Sequence, residues 1–235
     1  MDRRLPLYLV LDVSGSMGGT PIQSVNNGLQ TVQTALRRNS QACETVCVSV
    51  ITFGAETKLI SPLTEVLNFV PPVLTAGGGT PFGAALKLVK NLAEKEVQKN
   101  TYEQKGDWKP IVFIMIAGEP TDDYKSGIAE FKTYKWGPVI ACAAGSGADV
   151  TVLKEVTETV LSLDTLDSST IESLFKWQSF PVSPVPRIDK VSSDAGASSL
   201  LPPPSKFNFI IPFDERRKSW SKEALACWGQ AKESF

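Results

Sequence analysis

A continuous apolar run that ends in a carboxylate and two hydroxyls is the feature that most limits how this chain folds. Residues 7–17 read LYLVLDVSGSM, and Asp12, Ser14 and Ser16 follow the run directly. Uninterrupted runs of this kind are typical of strands buried on both faces of a parallel sheet. The sequence therefore predicts a buried first strand whose carboxyl end opens into a tight loop carrying oxygen atoms.

The spacing of these three polar residues is compatible with a divalent cation. Alternate residues of an extended loop face the same way, so Asp12, Ser14 and Ser16 converge on one point. Their oxygens are hard ligands of the kind that Mg²⁺ prefers, and a single carboxylate leaves room for waters and other ligands. A loop whose hydroxyls cap the following helix has the same spacing. This loop alone does not separate the two interpretations.

Two more loops carry oxygen-bearing side chains. Residues 77–81 read GGGTP, so Thr80 stands where it serves as a helix cap, a metal ligand or both. A further apolar run at 111–116 leads into the segment AGEPTDD at 117–123. Loops at the carboxyl ends of parallel strands meet at one edge of an open α/β sheet. We therefore expect all three loops to line one site.

Strand and helix patterns alternate along the rest of the chain. A capping box from Thr20 to Gln23 predicts the start of a helix, with one apolar face formed by Ile22, Val25, Leu29, Val32 and Leu36. A second long helix is predicted from Phe82 and a short one around 152–156. Strands are also predicted at 46–53, 57–60, 139–144 and 159–163. This order predicts an α/β, doubly wound Rossmann-like fold with a mostly parallel central sheet, one antiparallel edge strand and helices on both faces.

The three loops resemble the von Willebrand factor A (VWA) domain and its metal-ion-dependent adhesion site, the MIDAS. That family combines D-x-S-x-S with a threonine on the second loop and an aspartate on the third, usually within T-D-G. The resemblance implies that Asp12, Ser14, Ser16 and Thr80 are metal ligands. It also implies a non-enzymatic domain that binds Mg²⁺, or Mn²⁺ or Ca²⁺ in its place, and uses the cation to ligate an aspartate or glutamate of a partner protein.

Ala117 occupies the position of the third-loop aspartate. This departure removes one negative charge and either a ligand or the acceptor for a metal-bound water, and losing an outer-shell partner alone costs about 10–100-fold in affinity. Three explanations compete: an engineered substitution, a naturally degenerate site, and replacement by Glu119, Asp122 or Asp123. Asp122 and Asp123 are also suited to capping the helix that follows them. We expect a MIDAS-type site that is weakened, or lacks metal, because of Ala117.

Several separated segments also resemble bacterial TerY-type proteins, which are associated with tellurium resistance and with stress or phage-defence loci. The similarity covers roughly residues 3–180 and includes PIQSVNNGLQTV, VSVITFG, GDWKPIVFIM and GEPTDD. It implies a binding protein or scaffold within a phosphorylation system. The implied partners are a metal-dependent protein phosphatase, a protein kinase or both, encoded at the same locus.

Composition excludes several other classes of function. The chain contains no histidine, which excludes histidine triads, histidine-ligated metals and histidine general bases. Its net charge of −1 gives no bulk electrostatic case for nucleic acid or an anionic membrane. We find neither an apolar run near the length of a membrane span nor a secretory signal. Four cysteines without a C-x-x-C spacing are expected to be free thiols, and a cytoplasmic location is expected.

The composition changes near residue 181, where proline and serine become frequent. We therefore predict a VWA domain at 1–180 and a linker with a carboxyl-terminal tail at 181–235, which packs back on the domain or binds a partner. Residues 207–211 are predicted as a short strand or a partner-docking segment. Two other functions remain open: a metal-independent scaffold with a vestigial MIDAS, and a metal-dependent phosphoester hydrolase. Hydrolases of that kind usually have carboxylate-rich metal sites, and this chain offers one certain carboxylate.

Overall fold

A computed structural model describes residues 3–145, 147–163 and 208–209 of the chain. The strands are β1 Leu5–Asp12, β2 Val46–Phe53, β3 Thr57–Glu65, β4 Ile111–Ile116, β5 Val139–Ala144, β6 Thr159–Leu163 and β7 Asn208–Phe209. The α-helices are α1 Thr20–Arg37, α2 Ser40–Thr45, α3 Phe82–Glu96, α4 Tyr124–Phe131 and α5 Val150–Val156. A single 3-10 turn, Gly15–Met17, follows β1. Most of the predicted tail, 181–207 and 210–235, lies outside the described residues.

The strands form one sheet in the order β3-β2-β1-β4-β5-β6-β7. The five central strands are mutually parallel, and β3 pairs antiparallel with β2 at one edge, so the predicted fold class is confirmed. The edge strand is longer than predicted because β3 continues to Glu65. At the other edge the two-residue β7 pairs antiparallel with β6, within the 207–211 segment that was predicted as a strand or a docking segment.

Helices cover both faces of the sheet, and the sheet separates the core into two apolar clusters. On one face, α1 packs against β1, β2 and β4, and all five apolar residues predicted on its inner face are buried. On the other face, α3, α4 and α5 contribute Phe82, Leu86, Phe131 and Leu153 to a second cluster. The two-sided burial explains why β1, β2 and β4 read as continuous apolar runs. No helix in the described ranges has the length and apolar character needed to cross a bilayer.

The predicted capping box at the start of α1 is wrong. Gly19 occupies the N-cap position with a φ of 81°, and Thr20 is already the first helical residue, without a side-chain cap. A positive φ is readily adopted by glycine alone, so Gly18-Gly19 lets the chain turn sharply from the 3-10 turn into α1. The hydroxyl of Thr20 is therefore not used as a cap.

Polar side chains of α1 hold the segment that connects β3 to the second loop. Residues 66–74 begin with a turn at 66–68 and run along the helix. Three side chains of α1 donate hydrogen bonds to carbonyl groups of this segment, including those from Arg37 to Leu67, from Gln33 to Phe69 and from Asn26 to Leu74. Asn26 also accepts from Leu74 N at 2.8 Å, so one side chain satisfies both main-chain groups of a buried residue. This segment leads directly into 77–80, so α1 sets where the second loop begins.

We predict that Asn26→Ala lowers the free energy of unfolding by about 1–3 kcal/mol, because it leaves a buried N–H and C=O without partners. The neighbouring Asn27, whose side chain is exposed, provides a matched control, and Asn27→Ala is expected to stay within about 0.5 kcal/mol of the parent. Urea unfolding followed by circular dichroism measures both. Equal losses in the two variants would show that the amide pairing to Leu74 contributes nothing.

Candidate metal site

The carboxylate of Asp12 lies at the carboxyl end of β1 and is fully buried. Its Oδ1 accepts a hydrogen bond from the backbone N–H of Ser14 at 2.7 Å, and its Oδ2 accepts one from the backbone N–H of Ala117 at 2.8 Å. The two oxygens thus connect the loop after β1 with the loop after β4. These two strands are adjacent in the sheet, with Leu11 in register with Met115, and this register brings the loops together.

Burial raises the pKa of Asp12 above its usual value, while hydrogen bonds from the backbone of Ala117, Ser14 and Gly118 oppose part of that rise. No ion pair joins Asp12 to a basic side chain of the described residues. The site therefore holds a buried acidic group that is hydrogen-bonded but has no cationic neighbour. Such a group is stabilised as a carboxylate by a nearby cation.

The hydroxyl of Ser14 is buried and makes no hydrogen bond of regular geometry. The hydroxyl lies close enough to Asp12 to help lower the pKa of that carboxyl, but the geometry of this contact is not that of a regular hydrogen bond. Buried hydroxyl groups without partners are uncommon because their desolvation is not compensated. The Ser14 oxygen is therefore available to an additional ligand beside the buried acid.

Two further hydroxyls converge beside Gly118 in the third loop. A Cβ atom at Gly118 would lie 3.3 Å from Thr80 Oγ1 and 3.5 Å from Ser16 Oγ. Thr80 is buried, whereas Ser16 is exposed, so the group is open to solvent on the Ser16 side. The structure thus places Ser16 and Thr80 beside Gly118, next to the Ala117 N–H that binds Asp12, and Gly118 keeps the space between the loops free. The sequence pattern does not predict this role of Gly118.

Main-chain hydrogen bonds join the first and second loops. Gly15 N donates to Gly78 O at 3.0 Å, and Gly77 N donates to Val13 O at 2.7 Å. Gly78 has a φ of 85°, and a Cβ there would lie 2.2 Å from the backbone nitrogen of Ala55. A side chain at this position would clash with the main chain, so glycine is required. The glycine-rich sequence thus permits close approach of three main-chain segments.

Thr80 does not cap α3, and Asp122 takes that role. Pro81 occupies the N-cap position of α3 without a side-chain cap. The two oxygens of Asp122 instead accept from Gly83 N at 2.9 Å and Ala84 N at 2.8 Å. Asp122 was expected to cap the helix that follows it, α4, and this prediction is wrong. It caps α3, which precedes it in the chain.

The other two acidic residues of the third loop, Asp123 and Glu119, have different surroundings. Asp123 caps α4 by accepting from Ser126 N at 3.3 Å, as expected for an acidic residue at that position. Glu119 is exposed. Together with the capping role of Asp122, these placements give no support to a third-loop carboxylate that substitutes for the residue missing at Ala117. Within the described ranges there is no group of three acidic or cysteine side chains that could hold a metal.

Ala117 bonds to Asp12 through its main chain, and its small side chain is buried next to that bond. The methyl group is buried in the same apolar cluster as Leu11 and Met17, while the N–H holds Asp12. The donors facing the site are thus one carboxylate and three hydroxyls. This set of hard oxygen ligands fits a cation such as Mg²⁺, which commonly retains waters in its coordination shell.

Comparison with known proteins identifies a family. A family model described as the von Willebrand factor type A domain matches residues 7–175. Proximal thread matrix protein 1 from the mussel byssus aligns with a TM-score of 0.57 and 20% identity, over 77% of this chain and 47% of that protein. The pilus adhesin SpaC from Lactobacillus rhamnosus GG aligns with a TM-score of 0.61 and 14% identity, over 77% of this chain and 30% of the adhesin.

A von Willebrand factor type A protein from Catenulispora acidiphila aligns with a TM-score of 0.56 and 15% identity, over 77% of this chain and 43% of that protein. This chain spans less than half the length of these three proteins, and at such low identity the likeness shows a shared fold. A search of curated proteins finds no match.

Replacing Ser14 by alanine is expected to change the free energy of unfolding of the metal-free protein by less than about 0.5 kcal/mol, because the hydroxyl has no regular hydrogen bond to lose. Ser49 is a matched control, since its buried Oγ donates to Ser61 O at 2.9 Å. Ser49→Ala should cost about 1 kcal/mol. Urea unfolding in the presence of a chelator measures both, and a comparable loss in both variants would assign a partner to Ser14 Oγ.

Proposed function

The chain belongs to the von Willebrand factor type A domain family, and from this premise we propose that it binds a partner protein through a divalent cation at the carboxyl edge of its sheet. The observation that carries the proposal is the buried carboxylate of Asp12 beside the Ser14 hydroxyl, which makes no hydrogen bond of regular geometry. The convergence of Ser16 and Thr80 on the space beside Gly118 supports it. A cation placed among these oxygens would satisfy the hydroxyl and offset the buried charge.

Each residue has a distinct role in the proposed site. Asp12 is the charged ligand, and Ser14 and Ser16 are neutral ligands. Thr80 binds directly or through a water. Ala117 holds the Asp12 carboxylate in place through its N–H group. A bound cation supplies a Lewis-acid centre with an open position, and an aspartate or glutamate side chain of the partner provides the oxygen that fills it.

The chemistry of the donors favours Mg²⁺ as the resident cation, with Mn²⁺ or Ca²⁺ as substitutes. One structure of the mussel protein bears a zinc-occupied MIDAS motif according to its description, and this likeness supports a divalent metal at the corresponding edge of the present chain. Zinc prefers nitrogen and sulfur ligands. The chain has no histidine, and the donors proposed here are all oxygens, so the site is better suited to Mg²⁺ than to zinc.

We further propose that the chain is a non-enzymatic module of a tellurium-resistance or stress and phage-defence phosphorylation system in the bacterial cytoplasm. The support is the resemblance of its separated segments, including GEPTDD, to TerY-type proteins. The proposed partner is a metal-dependent protein phosphatase, a protein kinase or both. Neither nucleic acid nor membrane is proposed as a partner, in keeping with the net charge of −1.

Ala117 favours one alternative function, a metal-independent scaffold in which the site is vestigial. Without a carboxylate at position 117, no group of three acidic or cysteine side chains forms at the site within the described part of the chain, and weak metal binding would follow. In that case partner capture survives Asp12→Ala and disappears when residues 181–235 are deleted. Hydrolysis of a phosphoester, the remaining alternative, requires carboxylates to hold and activate water, and the described residues offer little for that purpose.

We predict that Ala117→Asp raises the affinity for Mg²⁺ by about 10-fold or more, because residue 117 is hydrogen-bonded to Asp12 through its N–H and a carboxylate there adds a negative charge close to the cation. Asp12→Ala should abolish binding. Ala117→Asn is the matched control, since it has nearly the size of aspartate without the charge, and it should leave the affinity near that of the parent. Titration calorimetry on metal-free protein measures all four chains. Absence of binding in every chain would support the metal-independent scaffold.

A simple carboxylate is expected to bind together with the metal. Mg²⁺ and Asp12 carry a net charge of +1, so an incoming carboxylate neutralises the site, and saturating acetate should raise the apparent Mg²⁺ affinity by about 5-fold or more. Calorimetric titrations in acetate and in chloride at equal ionic strength measure the difference. Because linkage is reciprocal, Mg²⁺ must strengthen acetate binding by the same factor. Equal affinities in the two salts would contradict recognition of a carboxylate.

A further inference from the structure

Two hydrogen bonds, which we call the grip, join Thr121 of the third loop to Thr80 of the second loop. Thr121 Oγ1 accepts a hydrogen bond from Thr80 N at 3.0 Å, and Thr121 N donates to Thr80 O at 2.9 Å. Both main-chain groups of Thr80 are thus paired with a single residue that lies 41 positions later in the chain. The paired backbone restricts where the hydroxyl of Thr80 can lie.

Asp122 holds the start of α3 next to this grip. Its two oxygens accept from Gly83 and Ala84, two of the N–H groups that the first turn of a helix leaves unpaired. A carboxylate at a helix N-terminus is also favoured by the helix dipole. Since α3 begins immediately after Thr80 and has no cap of its own, Asp122 anchors the segment that follows the proposed ligand.

The first turns of α3 and α4 are in direct main-chain contact. A Cβ at Gly83 would lie 2.6 Å from Asp123 O, and a Cβ at Gly127 would lie 2.5 Å from Gly83 Cα. There is no space for a side chain between the helices at this point. The loop that carries Thr121 and Asp122 is therefore fixed to the helix that follows Thr80, and relative sliding of the two would separate close contacts.

We infer that Thr121 and Asp122 are positioning residues that make the second and third loops one body and hold Thr80 in place for the metal. The inference rests on the proposed function for its role in metal binding, although the grip itself is a property of the free protein. Neither residue is required as a ligand. Thr80 is thereby placed before the cation arrives, and loosening the grip lowers the population of the binding-ready arrangement.

The test compares Thr121→Val, Thr121→Ser and Asp122→Asn with the parent chain. Valine keeps the shape of threonine but lacks the acceptor, serine retains the acceptor, and asparagine replaces one acceptor oxygen of Asp122 with an amide that cannot accept. Asp149→Asn is the matched control, because Asp149 caps α5 through Thr151 N and has no bond to the second loop. Two readouts are used: Mn²⁺ affinity by calorimetry, and amide hydrogen exchange resolved at Thr80, Gly83 and Ala84.

We expect Thr121→Val and Asp122→Asn to weaken Mn²⁺ binding by about 10–100-fold, the range seen for outer-shell substitutions. Exchange should become faster at Thr80 in the first variant and at Gly83 and Ala84 in the second. Thr121→Ser should restore both properties, and Asp149→Asn should change neither. Unchanged Mn²⁺ affinity in a variant with faster exchange would overturn the positioning role.

The two proposals fail in different ways. If the parent chain binds no Mn²⁺, the proposed metal site is wrong. Amide hydrogen exchange alone then tests whether the second and third loops form one body. Faster exchange at Thr80 in Thr121→Val then supports one body formed by the two loops, and unchanged exchange in both variants overturns it.

Discussion

Burial of the Asp12 carboxylate at the end of β1 is the interaction on which the rest of the site depends. A buried acid is costly unless its oxygens are paired, and here the partners are N–H groups of two different loops, at Ser14 and Ala117. The first loop must therefore turn immediately after β1, and β4 must end beside it. The parallel register of these strands satisfies both requirements. The location of the hydroxyls follows from the same register.

The side chains proposed as ligands belong to different loops, but hydrogen bonds of the main chain fix how these loops approach one another. The second loop is held on one side by the first loop, through Gly77 and Gly78, and on the other by the third loop, through Thr121. Glycine is needed where these segments approach one another most closely, as at Gly78. The bonds between the first and second loops join main-chain atoms alone and so do not depend on side-chain rotamers, whereas the bond from Thr80 N depends on the side chain of Thr121.

The strands, the inner face of α1 and the meeting of three loops could be predicted because each follows from local periodicity and from the rules for parallel sheets. Two predictions about helix caps, at Thr20 and Thr80, failed for a physical reason. Thr20 has the residue type of a cap, but Gly19 with its positive φ occupies that position. Thr80 likewise precedes α3, yet the cap is Asp122, 39 residues after Gly83. A sequence pattern shows which residues are able to cap a helix, whereas tertiary packing decides which of them reaches it.

In the proposed metal site, the main chain of residue 117 helps to fix the geometry, and its side chain sets the charge. The N–H of this residue holds Asp12, so the hydrogen bond does not require a particular side chain at position 117. What the side chain decides is charge. A second carboxylate would balance the cation within the protein and retain it without a partner. With alanine, a divalent cation bound by Asp12 would leave a net positive charge at the proposed site, which an external carboxylate would neutralise. The proposed function therefore makes retention of the metal and binding of an acidic partner a single coupled equilibrium.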